Sequence, residues 1–324
     1  ALSGDELDGL PDKALRDQVE TISVYARVSP EHKMRIVDAW RAKGHVVAMT
    51  GDGVNDAPAL KRSDLGIAMG ITGTDVAKES ADMVLTDDNF ASIIAAVEEG
   101  RGIYENIRKF VAYLLSANAG EVLIMFLATL ILARPEYLPF FAPVQLLWIN
   151  LVTDGLPALA LGVDPFPKDV MDRPPRDPKE NVLSRDVLFF IVIIAAILTV
   201  GTLGVFVLEL GEHPGDIVRA RSVAFTTIVF FELFLVFSIR HPRQTLWEIG
   251  ILSNKNLLIA VAISAALQIM VIQVPIFEPA FDTKALDLLD WVQTFAVGFT
   301  AFLFVEMTKV VRRFVQKRAA RARG

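Results

Sequence analysis

The sequence predicts a partial α/β unit with a parallel, Rossmann-like sheet, followed by an all-α bundle of six transmembrane spans. Two observations carry this. Over residues 1 to about 110, short apolar strand-like runs alternate with helical ones, the pattern of a parallel sheet. Beyond them lie six long apolar runs, at 111–133, 143–163, 187–210, 221–239, 257–275 and 289–311. Each is near the ~20 residues needed to cross hydrocarbon. Composition agrees: 53% of the 324 residues are hydrophobic, which is high for a soluble chain.

In the first part, Ser23-Val24-Tyr25-Ala26-Arg27 predicts a strand. Pro30 opens a helix that reaches about Lys43 and stops at Gly44. A strand over 45–50 enters the loop Gly51-Asp52-Gly53-Val54-Asn55-Asp56, and a helix follows from Pro58. Residues 65–70 read as a buried strand, Thr74 as the cap of a helix through Ser80, and 83–86 as another strand. A helix begins after Asp88-Asn89 and continues through Arg108-Lys109 into the first span, with Gly100 and Gly102 as the place where it can break. The glycine-flanked acidic loop falls between strand and helix, where ligands sit in parallel sheets. Glycines admit a close ligand, the helix start favours anionic oxygens, and a hard cation takes carboxylate oxygens. The arrangement suits phosphate and Mg²⁺.

The net charge of −6 and the scatter of basic residues give no sign of nucleic-acid binding. No cysteine is present, so disulfides and thiolate metal sites are excluded. Basic residues orient the spans. Lys168, Arg173, Arg176, Lys179 and Arg185 follow the second span; Arg240, Arg243 and Lys255 follow the fourth. Lys309, Arg312, Arg313, Lys317, Arg318, Arg321 and Arg323 crowd the tail. The opposite connectors hold only Arg134, Arg219, Arg221 and Lys284. Both termini and the α/β unit are therefore expected in the cytoplasm, with membrane lipid around the bundle. The compact loops suit a bacterial plasma membrane.

Polar groups within the runs are costly in lipid and mark function. They are Asn118 and Glu121 in the first span, Asn150, Thr153 and Asp154 in the second, and Glu232 in the fourth. The i,i+3 and i,i+4 spacings put Asn118 with Glu121, and Asn150 with Asp154, on shared helix faces. Gly155 and Pro157 weaken the helix after Asp154 and can free carbonyls there. An all-oxygen set suits Ca²⁺ and argues against copper or zinc. Asn118 also suits an interhelical hydrogen bond, and Thr153 a backbone cap or packing hydroxyl. Glu232 stands without a local polar partner; Gln268 reads as packing or interhelical bonding, Glu306 as an interfacial charge, and Trp148 and Trp291 as packing or interface anchoring.

The run TGDGVNDAPAL at 50–60 resembles the hinge of the P-type cation-transporting ATPases. Residues 26–33 are similar to their lysine-bearing segment. Residues 116–122 and 143–157 look like the fifth and sixth spans of type IIA calcium pumps, of the sarcoplasmic-reticulum kind, and 284–288 also look like that group. The resemblance implies a haloacid-dehalogenase-like phosphorylation domain, its C-terminal part plus a stalk over 1–110, then the fifth to tenth spans over 111–311 and a basic tail over 312–324. It implies that Lys33 contacts the phosphoryl group, that Asp52 and Asp56 hold Mg²⁺, and that Thr50, Gly51, Gly53 and Asn55 complete the phosphate site for ATP. It implies further that Asn118, Glu121, Asn150, Thr153, Asp154 and Glu232 bind the transported cation. An asparagine at 150 fits the calcium branch better than the sodium/potassium branch; Mn²⁺ and Na⁺ are the alternative ions.

The family's phosphorylated aspartate lies in DKTGT and its actuator motif is TGE; neither run occurs here. The chain is thus expected to be the C-terminal part of such a pump, transporting cations with ATP only when complete. A haloacid-dehalogenase-like phosphatase on a membrane anchor would need DxDxT, which is absent. A non-catalytic membrane cation-binding module, or a half-pump that pairs with a separate chain carrying the N-terminal half, is the other alternative. This chain on its own is expected to form no acyl phosphate. Incubation with labelled ATP and acid gel electrophoresis should give no band; a hydroxylamine-sensitive band would overturn the expectation.

Overall fold

The structure is a computed structural model that describes residues 1–132, 134–177 and 181–321. Of the residues considered above, Ala133, Lys179 and Arg323 lie outside the described residues, as do the side chains of Lys317 and Arg321. The chain folds as two compact units, one built mainly from Ala1–Gly100 and the other from Arg101–Pro175 and the residues after it.

The first unit carries two parallel sheets where one was expected. Strand β1 (Leu2–Ser3) pairs with β2 (Tyr25–Ala26), and β3 (Ala48–Gly51), β4 (Leu65–Met69) and β5 (Met83–Leu85) form a second sheet in that order. The strand read at 23–27 is drawn away from the larger sheet because Leu2 N–H donates to the Val24 carbonyl at 2.9 Å, starting the β1 ladder. β1 itself, two residues long, has no periodicity to reveal it. Helices α1 (Gly4–Asp8) and α2 (Asp12–Gln18) precede α3 (Pro30–Ala42). Ser29 caps α3 through His32 N–H at 3.2 Å, and Gly44 ends it at φ +88°, a conformation that favours glycine. β3 starts three residues later than the sequence suggests, because Val47 N–H is taken by the Asp64 carboxylate at 3.0 Å. α4 (Ala57–Arg62) and α5 (Asp75–Ser80) follow their strands, α5 capped by Thr74. Leu60, Ala68 and Ala77 close the core under the larger sheet.

Helix α6 (Phe90–Leu132) is unbroken. The helix runs through 100–102, where the sequence allows a break, and Gly102 packs against Phe166: a Cβ at 102 would lie 2.3 Å from that ring. The glycine here serves close approach, not a bend. The second span is composite: α7 (Pro143–Trp148), a π turn (Ile149–Thr153) and α8 (Gly155–Gly162). The others are α9 (Arg185–Glu212), α10 (Ile217–Ile239), α12 (Lys255–Gln273) and α14 (Leu288–Arg321), with short α11 (Leu246–Ile249) and α13 (Glu278–Phe281) between. Among the described residues six helices are long and apolar enough to cross a membrane. α10 is the hub: 83% of its apolar window is buried, against less than half in each of the others. The remaining spans present Leu, Ile, Val and Phe outward, as lipid requires.

A small residue sets a close helix contact. A Cβ on Gly298 of α14 would meet Phe231 N at 3.0 Å and Phe230 atoms at 3.1 Å on α10. Backbones approach here without a hydrophobic force, through dispersion. Gly298→Val should therefore part α10 from α14 and cost about 1–3 kcal/mol. Thermal unfolding in detergent should show the loss.

Candidate functional site

In the first unit, β3 delivers Thr50, Gly51 and Asp52 to the mouth of a cleft of about 460 Å³, lined also by Lys33, Asp56, Met69, Thr72 and Asp88. Gly51 must lack a side chain, since a Cβ there would sit 2.5 Å from Asp56 Cβ. Asp56 tucks under the loop and is buried; its Oδ2 accepts Gly53 N–H at 3.2 Å and Asp52 N–H at 3.3 Å, and its Oδ1 accepts Lys33 Nζ. Burial pushes the Asp56 carboxyl up, but the Lys33 ammonium and the loop N–H groups outweigh it and hold it below the ordinary carboxylate value. Asp52 and Asn55 are exposed, and among the described residues neither side chain takes a hydrogen bond. Thus Lys33, Thr50, Gly51, Asp52, Gly53 and Asp56 converge, with Asn55 on the loop's outer side.

Two polar cleft residues, Thr72 and Asp88, escaped the sequence reading. Asp88, in the left-handed region at φ +50°, accepts N–H bonds from Gly70 (2.6 Å), Ile71 (3.0 Å) and Thr72 (2.8 Å), and the Thr72 hydroxyl at 2.8 Å. Two residues further on, Thr74 N–H donates to the Asp52 carbonyl at 2.8 Å. The Asp87-Asp88-Asn89 run reads as a helix start in sequence; only pairing across the sheet brings Asp88 to the loop after β4. The Ile71 N–H bond, with those of Thr72 and Gly70, outweighs desolvation and holds the Asp88 carboxyl at about 2.

In the second unit, Glu121 of α6, Asp154 between the π turn and α8, and Glu232 of α10 meet, with one carboxylate oxygen of each within 4.8 Å of the others. All three are buried. Asn150 Nδ2 donates to Glu121 Oε2 at 2.6 Å, and the Tyr113 hydroxyl donates to Asp154 Oδ1 at 2.9 Å. Glu121 Oε1, Asp154 Oδ2 and both Glu232 oxygens have no hydrogen-bond partner. A set of buried carboxylates left open in this way is suited to a cation with oxygen ligands.

The expectations for this site hold unevenly. Glu232 is not isolated, because α10 at the bundle centre aims it at the other two carboxylates. Asn150 and Asp154 are not an α-helical i,i+4 pair: Asp154 N–H reaches the Ile149 carbonyl at 2.9 Å, a π-helical bond. The irregularity precedes Asp154 instead of following it, and α8 runs through Gly155–Pro157, with Ala158 N–H on the Asp154 carbonyl at 2.9 Å. Asn118 Nδ2 turns to its own helix at Leu114 O (2.8 Å), and the Thr153 hydroxyl to Ile149 O (3.1 Å). Tyr113 went unread, although it lies two helical turns before Glu121 on the same face. Gln268 makes the interhelical bond expected of it, accepting Trp148 Nε1 at 2.9 Å. Glu306 is buried, holding Lys309 Nζ at 2.7 Å and Leu246 N–H at 2.8 Å.

A family described as cation transporting ATPase, C-terminus, matches residues 138–311, and one described as haloacid dehalogenase-like hydrolase matches 35–97. A calcium-transporting ATPase of Bacillus subtilis (strain 168) is 47% identical over 308 residues, covering 93% of this chain and 33% of that protein. Calcium-transporting ATPase 1 of Saccharomyces cerevisiae is 42% identical over 313 residues, covering 96% and 32%. Calcium-transporting ATPase type 2C member 2 of Rattus norvegicus is 40% identical over 321 residues, covering 99% and 34%. The chain spans about a third of the length of these relatives.

The Asp88 bonds predict a pH dependence. Its folded value of about 2 lies below the ~3.9 of a free aspartate, so its stabilisation is complete above ~3.9 and is lost as pH falls through about 2. Carbon-13 titration of the Asp88 carboxyl should find it ionised at about pH 3; a midpoint near the free value would contradict the bonding.

Proposed function

Because the chain belongs to the cation-transporting ATPases, whose C-terminal family matches more than half of it, we propose that it forms the membrane ion site and one side of the phosphoryl site of an ATP-driven calcium pump. The carrying observation is the Glu121–Asp154–Glu232 cluster, with its four open carboxylate oxygens. Ca²⁺ is the substrate that suits flexible, all-oxygen, highly anionic ligation. Asn150 stands against Glu121 through its amide N–H and would offer its amide oxygen to an ion only by turning. Asn118 and Thr153 would join only by turning from their own backbone bonds. The names of the relatives support calcium over Mn²⁺ or Na⁺.

At the cleft, the donor set is carboxylates and hydroxyls from Asp52, Asp56, Asp88, Thr50 and Thr72, with no imidazole or thiol. That chemistry fits Mg²⁺. Asp52, exposed and with no hydrogen bond to its carboxylate, is the residue to hold it, with Asp56 behind. When bound, Mg²⁺ supplies positive charge against the phosphoryl oxygens. Asp56 fixes the Lys33 ammonium at the mouth, where it offsets charge on a transferring group. Gly51 and Gly53 let the backbone approach that group. The phosphorylated carboxylate and the remaining ATP contacts lie outside this chain, in the rest of the pump or a separate N-terminal chain. Phosphorylation drives transport by changing the relative energy of two ion-site conformations. The basic connectors support both termini in the cytoplasm, and the compact loops support a bacterial plasma membrane.

In the full-length protein that contains this chain, Glu121→Gln, Asp154→Asn and Glu232→Gln should each weaken Ca²⁺ binding by roughly tenfold or more, since each removes a charged ligand at nearly constant size. Membrane insertion should persist. Equilibrium ⁴⁵Ca²⁺ binding with Mn²⁺ and Na⁺ as competitors measures this. Unchanged affinity and stoichiometry in all three would make the cluster a structural polar group.

A further inference from the structure

The three helices that bear the open carboxylates are tied together a second time, at the end of the bundle where the first span begins and the second and fourth end. Lys109 of α6 donates through Nζ to Asp164 Oδ2 at 2.8 Å and Asn106 Oδ1 at 3.0 Å. Asp164 lies two residues past the end of α8. Arg240, at the end of α10, donates through Nε to Asp164 Oδ1 at 2.9 Å, and its Nη2 lies 2.9 Å from the same oxygen. Asn254, the cap of α12, adds a bond to Asp164 Oδ1 at 2.8 Å and one to the Ala160 carbonyl at 3.1 Å. Asn106 Nδ2 holds the Asp164 carbonyl at 2.8 Å, and Arg240 Nη2 reaches Ser253 Oγ at 2.7 Å. Lys109, Asp164, Arg240, Asn106 and Asn254 are all buried.

The two clusters differ in one respect. Every polar side-chain atom of this one has a partner, whereas each carboxylate of the other keeps an open oxygen. A buried ionic network that is fully satisfied rigidifies the elements it joins. Removing one member leaves buried charge uncompensated, so the helices must shift or admit water. The joint lies one charged residue per helix from the carboxylates: Lys109 shares α6 with Glu121, Asp164 follows Asp154 through α8, and Arg240 ends the helix of Glu232. Along α6 and α10 the separation is roughly 12–18 Å of continuous helix. A displacement at the joint therefore moves the carboxylates with it.

We infer that Lys109, Asp164 and Arg240 are positioning residues that set the spacing of Glu121, Asp154 and Glu232 for the transported cation. This rests on the ion-site reading proposed above. The ion pairs hold α6 at Lys109 and the ends of α8 and α10 at one separation, and the carboxylates then face one another without a pairing cation of their own. Asp164 is the hub, because both cations and the α12 cap converge on its carboxylate.

The test uses the full-length protein, with equilibrium ⁴⁵Ca²⁺ binding and melting temperature read on each variant. Asp164→Asn and Lys109→Met should each raise the Ca²⁺ dissociation constant roughly tenfold, and Lys109→Arg, which keeps the charge, should restore it. Asp164→Asn combined with Glu232→Gln should show a smaller loss than the two single losses multiplied, as coupled sites do. Should Asp164→Asn fail to fold, the contrast between Lys109→Met and Lys109→Arg decides. Melting temperatures that fall while Ca²⁺ affinity and stoichiometry stay unchanged would overturn the positioning role and leave a structural tie. Glu121→Gln separates the two readings. If it, Asp154→Asn and Glu232→Gln all bind Ca²⁺ normally, the ion-site reading fails and the positioning role with it; if Glu121→Gln weakens binding while the Asp164 and Lys109 variants do not, only the positioning role fails.

Discussion

Three carboxylates face one another inside an apolar bundle without a basic residue among them, and the rest of the structure is arranged around that constraint. Desolvated carboxylates at close range repel and lack the water that would screen them. Among the described residues, the buried carboxylate oxygens without a hydrogen bond all belong to Glu121, Asp154 and Glu232. Such a group persists where rigid helices hold it and where a cation or protons arrive to neutralise it. α10, sealed on nearly all sides, supplies that rigidity for Glu232. The π turn supplies it for Asp154, rotating it fully inward while Asn150 stays toward the outside.

Elsewhere the chain closes its charges. Asp164 is met by Lys109, Arg240 and Asn254; Glu306 by Lys309; Glu209 by Arg219 at 2.5 Å. These pairs lie near the ends of the spans, where the cost of an ion is lowest and a polar tie can fix helix position. In lipid, the hydrophobic effect gives little preference between neighbouring helix registers, since acyl chains are as apolar as leucine. Ion pairs and small residues such as Gly298 and Gly102 supply that preference.

The α/β unit follows a similar division between closed and open groups. Asp56 is committed to Lys33 and the loop N–H groups, and Asp88 to the Gly70–Thr72 turn. Asp52 alone of the cleft's three aspartates has its carboxylate uncommitted and exposed, with its carbonyl steadied by Thr74. A group kept free but held in place by its backbone is the arrangement a hard cation needs.

Much was legible in the chain itself. Apolar runs of span length, the Pro30 start, the Gly44 stop and the Thr74 cap depend on local backbone chemistry and hydrophobic period, so the sequence by itself determined the six spans and most helices of the α/β unit. The residue types of both sites were legible for the same reason: a carboxylate in an apolar run or beside paired glycines is costly unless used. Tertiary structure decided what these residues meet. Glu232 gained two partners through α10's place at the centre. Asp88 reached the cleft through pairing of β4 with β5. The π turn broke the i,i+4 face of Asn150 and Asp154, and Gly102 served close packing where the sequence allowed a break. These outcomes depend on contacts between residues distant in sequence, whose energies carry no local period, so no window of the chain could reveal them.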